Sequence, residues 1–267
     1  MEELKERGLV LLGCGRMGSA MLRGWLAKGL PASAVWVIDP HPSDWLQGLD
    51  GLNLNTGLPP SPALVVVAVK PQMMTEALPD IARLGGGATV FLSVAAGTSI
   101  ARLTEALGQG TPVIRAMPNT PAAVGRGITA LVANGAGAPH LGLADTLMSA
   151  VGQTVRLGDE AQMDAVTAVS GSGPAYVFLM IEAMAAAGEA EGLTPELALS
   201  LARATMAGAG SLAEQADEAP GALRRNVTSP NGTTQAALDV LMADDGLPAL
   251  MRRAVAAAAN RSRELGK

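Results

Sequence analysis

The sequence predicts an α/β domain followed by an all-α domain, and three observations carry that prediction. Short valine-rich runs, apolar on both faces, alternate with helix-like segments through the first half, the pattern of a parallel sheet covered by helices. After about residue 160 the strand signals stop, and long segments rich in alanine, leucine and methionine follow. The length of 267 residues lies where single cores stop growing, roughly 250–300 residues, which favours two domains: 1–158 and 159–267.

Taken in order, GLVLLG (8–13), AVWVID (34–39), LVVVAV (64–69), ATVFLSV (88–94) and TPVIRAM (111–117) have strand length and composition. Helices are expected between them at about 16–28, 72–84 and 99–107, so the order is βαβ repeated. ITALVAN (128–134) and TVRLG (154–158) extend the sheet towards an edge. In the second half, helices are expected over 174–191, 195–216 and 234–265, with Pro195 suited to a first helical turn. AYVFLMIEAMAAAGEAEG is apolar almost all round, with only Glu182, Glu189 and Glu191 marking a wet side. Such a helix is buried in its own core or against another subunit. A domain of about a hundred residues has little other material to cover it, which favours a subunit interface.

Hydrophobic residues make up 49% of the chain and charged residues 16%, enough to bury a core and too little charge for a disordered polyelectrolyte. A net charge of -5 and a pI near 5.1 provide no basic field, so no nucleic-acid partner is expected. The single cysteine, Cys14, rules out an internal disulfide framework and a cysteine-based zinc site. No metal is expected. With no basic and apolar leader pattern at the start, the expected location is cytoplasmic. Mean hydropathy is +0.29, and the run from Leu84 to Ala101 is uncharged and of spanning length. Gly85 to Gly87 with Ser93, Thr98 and Ser99 break it into loop, strand and loop, so no membrane is expected either.

GCGRMG, Gly13 to Gly18, stands directly between the first strand and the first long helix. In a dinucleotide-binding turn Gly13 permits the bend, Gly15 lets the backbone approach a pyrophosphate, and Gly18 allows close helix packing. Arg16 and Met17 then open a helix whose free N–H groups face the phosphates. At the end of the second strand, Asp39 can accept from the adenosine ribose hydroxyls and would repel the extra phosphate of NADP; followed by Pro40, it can equally open a turn.

A nicotinamide enzyme needs a hydride acceptor and usually a proton donor. The inventory is short: His41, His140, and lysines only at 5, 28, 70 and 267. Hydroxyacid chemistry with a lysine or histidine base fits it poorly. A protonated imine is already electrophilic, so groups that position it suffice. VTSPNGTT (227–234) offers the hydroxyls of Ser229, Thr233 and Thr234 ahead of a helix N-terminus, a neutral cradle for a carboxylate. A plain helix cap after a Pro-Asn-Gly turn accounts for the same residues.

GCGRMG, AVKPQ (68–72), SVAAG (93–97), RAMPNTPAAVGRG (115–127), SGSGPAYVF (170–178) and VTSPNGTT, in this order, resemble the pyrroline-5-carboxylate reductase family over nearly the whole chain. The resemblance implies a Rossmann-like dinucleotide-binding domain and a helical dimerisation and substrate domain. It also implies a homodimer or higher homo-oligomer of dimers, and reduction of a small cyclic imine to proline with NADPH or NADH, the last step of proline biosynthesis. By that match Ala68, Val69, Lys70, Pro71, Ala95, Met117, Pro118 and Asn119 line the cofactor and Asn55 lies near the adenosine ribose. Thr234 meets the ring nitrogen as the catalytic residue, while Ser229, Gly232 and Thr233 hold the carboxylate. Glu160 matches a position near the substrate. The resemblance leaves open reduction of another cyclic imino acid, or a non-catalytic dinucleotide-binding protein. Two departures stand out. The family has two glycines after the loop proline where this chain has Asn231 and Gly232. Asp39 replaces the small or basic residue of many relatives, which implies a preference for NADH or use of both cofactors.

Overall fold

The valine-rich runs of the first half become strands in the computed structural model, which describes residues 2–266. They are β1 (Leu9–Leu12), β2 (Val35–Ile38), β3 (Asn53–Leu54), β4 (Leu64–Val67), β5 (Val90–Ser93), β6 (Val113–Met117), β7 (Gly127–Ala133) and β8 (Gly152–Arg156). One sheet contains them all, in the order β3-β2-β1-β4-β5-β6-β7-β8. β1 to β6 pair in parallel; β7 runs antiparallel to β6 and parallel to β8 at the edge. β1, β4 and β5 are buried along their length, as strands covered on both faces must be. β3 has two residues, too few to register as a periodic pattern.

Eight helices accompany the sheet: α1 (Glu2–Arg7), α2 (Arg16–Ala27), α3 (Asp44–Gln47), α4 (Met74–Ala77), α5 (Pro79–Ala82), α6 (Ile100–Leu107), α7 (Leu141–Met148) and α8 (Met163–Val166). Met21, Leu22, Trp25, Leu147 and Met148 cover one face of the sheet; Met74, Ile81, Leu103 and Leu107 cover the other. The helix expected over 72–84 is broken into a 3-10 turn at Pro71–Met73, α4 and α5. Pro79 is the reason, since it has no N–H to continue the ladder. From β1 the chain leads to β2 and β3 on one side and crosses to β4 on the other. This reversal opens a crevice at the carboxyl ends of β1 and β4, where ligands of open α/β sheets bind.

The second half forms α9 (Gly173–Ala190), α10 (Pro195–Gln215), α11 (Pro220–Asn226), α12 (Thr233–Leu241) and α13 (Leu247–Leu265). The single helix expected over 234–265 is two: the Asp244-Asp245-Gly246 stretch turns the chain, with Gly246 N donating to the Ala243 carbonyl at 2.8 Å. α9 and α10 meet around only three buried alanines, Ala185, Ala198 and Ala202. Phe178 (59% exposed), Leu179 (63%), Leu197, Leu201 and Leu212 remain uncovered. The helical run Glu160–Ala190 has 31 residues, with an 18-residue window of mean hydropathy 1.2, long and apolar enough to cross a membrane by length and composition.

Compactness divides the chain at a different point from the expected 158/159 boundary. One unit comprises the residues up to Gly171 with the segment from Ala258 onward; the other is Ser172–Ala257. Secondary-structure type changes near residue 160, but the first turns of the helical half still belong to the sheet. Met163, fully buried, packs with Ala130 and Val132 of β7, and Asp164 Oδ1 accepts from Ser262 Oγ at 2.6 Å.

Candidate active site

The glycine-rich turn is built by close approach. Gly13 has φ +86° and its amide donates to the Ile38 carbonyl at 2.8 Å. A β-carbon there would lie 2.9 Å from Val69 Cγ1 and 3.0 Å from the Ala68 carbonyl oxygen, and one at Gly18 would lie 2.6 Å from the Gly13 carbonyl oxygen. These two glycines let β1, the end of β4 and the start of α2 touch. Gly15 differs: a β-carbon would meet nothing within 4 Å. It faces open space at the N-terminus of α2, which has no side-chain cap, so the cap residue leaves the first N–H groups of the helix without a side-chain acceptor. This fits a pyrophosphate, and the residues present suit a dinucleotide.

Asp39 belongs to the same turn. Its Oδ2 accepts from Cys14 N at 2.7 Å and its Oδ1 from His41 N at 2.8 Å. Asn55, at φ +51°, accepts from Asp39 N at 2.9 Å and donates to the Asp39 carbonyl at 2.8 Å. Of the two readings of Asp39, the structure bears on the turn: the carboxylate accepts from Cys14 N and His41 N and so sets the bend after β2. Cys14 is buried; burial pushes its thiol up from the ordinary range, so it stays a neutral packing group.

Along the carboxyl edge of the sheet, Ala68 and Val69 adjoin Gly13, Lys70 and Pro71 are exposed, and Ala95 is buried with its N–H on Ser93 Oγ at 3.3 Å. Pro118 is buried. Asn119 Oδ1 accepts from Ile128 N at 2.9 Å and its Nδ2 donates to the Ser170 carbonyl at 3.2 Å, so its side chain braces the turn. Met117 Cε lies over Gly171, where a β-carbon would come within 2.6 Å. Glu160 is already engaged: Oε1 accepts from Arg115 Nη1 and from Ile100 N, each at 2.9 Å. Arg115, 7% exposed, was not singled out from the sequence. The signal was there, a charge in the apolar strand VIRAM that burial obliges to find a partner.

In the helical unit, VTSPNGTT makes a turn into α12. Asn231 has φ +59°, the left-handed geometry that asparagine tolerates best after glycine, so it replaces the family's glycine without breaking the turn. Gly232 is extended (φ -84°, ψ 174°); a β-carbon there would displace the Ser229 hydroxyl from its present position and sit 3.1 Å from the Ser229 carbonyl oxygen. Gly232 is also the N-cap of α12 and supplies no side-chain bond. The first-turn N–H groups at Thr233, Thr234 and Gln235 are thus uncapped by a side chain, so Ser229 and the threonines do not act as the plain cap. Ser229 and Thr233 are exposed and Thr234 half-buried, leaving three hydroxyls around an uncapped helix end.

Comparison with known proteins assigns two separate stretches of the chain to family models. Residues 160–265 match the family model described as pyrroline-5-carboxylate reductase dimerisation, and residues 8–97 match the one described as NADP oxidoreductase coenzyme F420-dependent. The apolar surface of α9 falls inside the dimerisation match. A pyrroline-5-carboxylate reductase of Pseudomonas aeruginosa is 41% identical over 265 residues, covering 97% of both chains. The solved structure of the Coxiella burnetii pyrroline-5-carboxylate reductase superposes with a TM-score of 0.91 at 33% identity, covering 98% of this chain and 99% of that one. A Plasmodium falciparum pyrroline carboxylate reductase, solved with NADP bound, gives 0.83 at 27% identity over 98% and 99%. A Rossmann-like first domain, a second domain of the dimerisation type and 41% identity over 97% of the chain to such an enzyme agree: the chain belongs to the pyrroline-5-carboxylate reductase family.

Proposed function

We propose that the protein reduces the C=N bond of 1-pyrroline-5-carboxylate to give L-proline, closing proline biosynthesis in the cytoplasm. The observation that carries this reading is the uncapped N-terminus of α12, ringed by Ser229, Thr233 and Thr234. It suits a small anion held by neutral donors, and an iminium carboxylate needs no ionising catalyst beside it.

The nicotinamide cofactor, NADPH or NADH, supplies the hydride when bound. Gly13, Gly15, Arg16, Met17 and Gly18 would hold its pyrophosphate, Asp39 and Asn55 the adenosine ribose. Ala68 to Pro71, Ala95 and Met117 to Asn119 would line the rest. Ser229 Oγ with the Gly232 and Thr233 backbone holds the substrate carboxylate, and the Thr234 hydroxyl hydrogen-bonds the protonated ring nitrogen. As hydride adds to the ring carbon, the π pair of C=N moves onto nitrogen, which keeps its proton and becomes the amine. Thr234 stays neutral throughout and fixes the angle at which the carbon is presented.

The uncovered Phe178, Leu179, Leu197 and Leu201 supply a self-complementary apolar face, and a homodimer, or dimers assembled further, covers it. The purified protein mixed with pyrroline-5-carboxylate and either reduced cofactor should consume it, as read by loss of reduced-nicotinamide absorbance, with proline as product. Cofactor binding without consumption of either would overturn the reading.

A further inference from the structure

We propose that Glu160 is a positioning residue that clamps the cofactor-lining loop after β5, and that it does not touch the substrate. Three segments meet at its carboxylate. Oε1 takes the Ile100 N–H, the first of α6, and the Arg115 guanidinium, which arises from the middle of β6. Glu160 itself opens the 3-10 turn Glu160–Gln162, which is locked by a capping box between Asp159 and Gln162. Arg115 is almost wholly buried and the Glu160 side chain 29% exposed. The carboxylate is therefore held by a partner that has left water, and that makes its geometry costly to vary.

The clamped element is the loop Val94–Ser99. Its start is fixed to the sheet, Val94 N donating to the Val67 carbonyl at 3.0 Å. Ser99 Oγ caps α6 by accepting from Arg102 N at 3.2 Å, yet a serine cap leaves the Ile100 N–H for another acceptor. Glu160, sixty positions along the chain, provides it and places a negative charge at the positive end of the α6 dipole. The loop follows β5, next to β4 in the sheet, on the carboxyl edge where dinucleotides bind. An open cavity of ≈ 500 Å³ borders the cluster, lined by Gly97, Ser99, Arg115, Asp159, Glu160 and Asp164 among others. If the clamp opened, the loop would have room to move.

This inference rests on the proposed activity only in taking Val94–Ser99 as part of the nicotinamide site. Its test compares wild type with Glu160→Gln, Glu160→Ala and the double variant Arg115→Met/Glu160→Gln. NADPH and NADH affinities are measured by calorimetry, and KM for each cofactor and for pyrroline-5-carboxylate by initial rates. Glu160→Ala should weaken cofactor binding roughly tenfold, the size expected for losing one charge-assisted hydrogen bond, with KM for the imine little changed. Glu160→Gln, still able to accept from Ile100 N, should recover much of that loss. The double variant, which leaves no buried charge unpaired, keeps the test alive if alanine prevents folding, and it should also bind cofactor more weakly than wild type. A rise in the imine KM with cofactor affinity intact would make Glu160 a substrate ligand and overturn the proposal. So would a lowered Tm with both affinities unchanged. Were the wild type to bind cofactor yet leave the imine unreduced, the activity reading would fail while the calorimetric comparison still decided on the clamp.

Discussion

The two units are finished to different degrees. Around the sheet, polar side chains and apolar faces find their partners within the chain: Asp39 meets Cys14 N and His41 N, Arg115 meets Glu160, and Trp25 is fully buried with its Nε1 on the Leu147 carbonyl at 3.0 Å. In Ser172–Ala257 three alanines form the buried cluster while Phe178, Leu179 and Leu201 stand in the open. The sheet unit satisfies its named polar groups by itself, whereas the unit that matches a dimerisation model leaves large apolar side chains for a second subunit to cover.

The largest expected effect breaks the helical unit's chemistry without touching the first. Thr234→Ala should lower kcat by about 10²–10³-fold, the range for removing one well-placed donor near a reacting centre, and leave cofactor affinity unchanged by calorimetry. Next comes the apolar face. Phe178→Asp with Leu179→Asp should weaken self-association by roughly a hundredfold or more, because an unpaired carboxylate resists leaving water. Light scattering should then show a smaller particle that still binds cofactor.

Two smaller effects probe the finished unit. Gly13→Ala forces a β-carbon against Val69 and Ala68 at φ +86°. A strain of about 1–3 kcal/mol should weaken NADH and NADPH alike by some tens-fold and lower Tm. On the proposed reading, Asp39→Ser removes the charge that would oppose a 2′-phosphate, and it also frees Cys14 N and His41 N. The ratio of kcat/KM for NADPH over NADH should rise about tenfold, roughly the price of one like-charge contact, while NADH alone becomes a poorer substrate. A ratio that stays fixed would confine Asp39 to its turn.

What the sequence disclosed follows from where its patterns are local. Strand-length valine runs and GCGRMG between strand and helix are contiguous signals, and β1, β4, β5 and the turn stand where they point. The single helix expected over 234–265 failed because alanine-rich flanks hide a short Asp-Asp-Gly turn, and the helix over 72–84 because a proline outweighed periodicity. α11 lies in a stretch too short for a pattern. The clamp was illegible for another reason: Ile100, Arg115 and Glu160 are brought together only by the sheet order, and no spacing along the chain encodes it. Asn231 was legible as a left-handed residue; that the Ser229 hydroxyl occupies the space beside Gly232 was not.

The central claim is that VTSPNGTT acts by holding an electrophile, with no ionisation of its own. The most direct test is the pH dependence of hydride transfer in single turnovers, comparing wild type with Thr234→Ala. Both should show the same inflection, set by protonation of the imine, with the variant's plateau far lower. An inflection that shifts or disappears in the variant would mean that the loop takes part in proton transfer, contradicting the account.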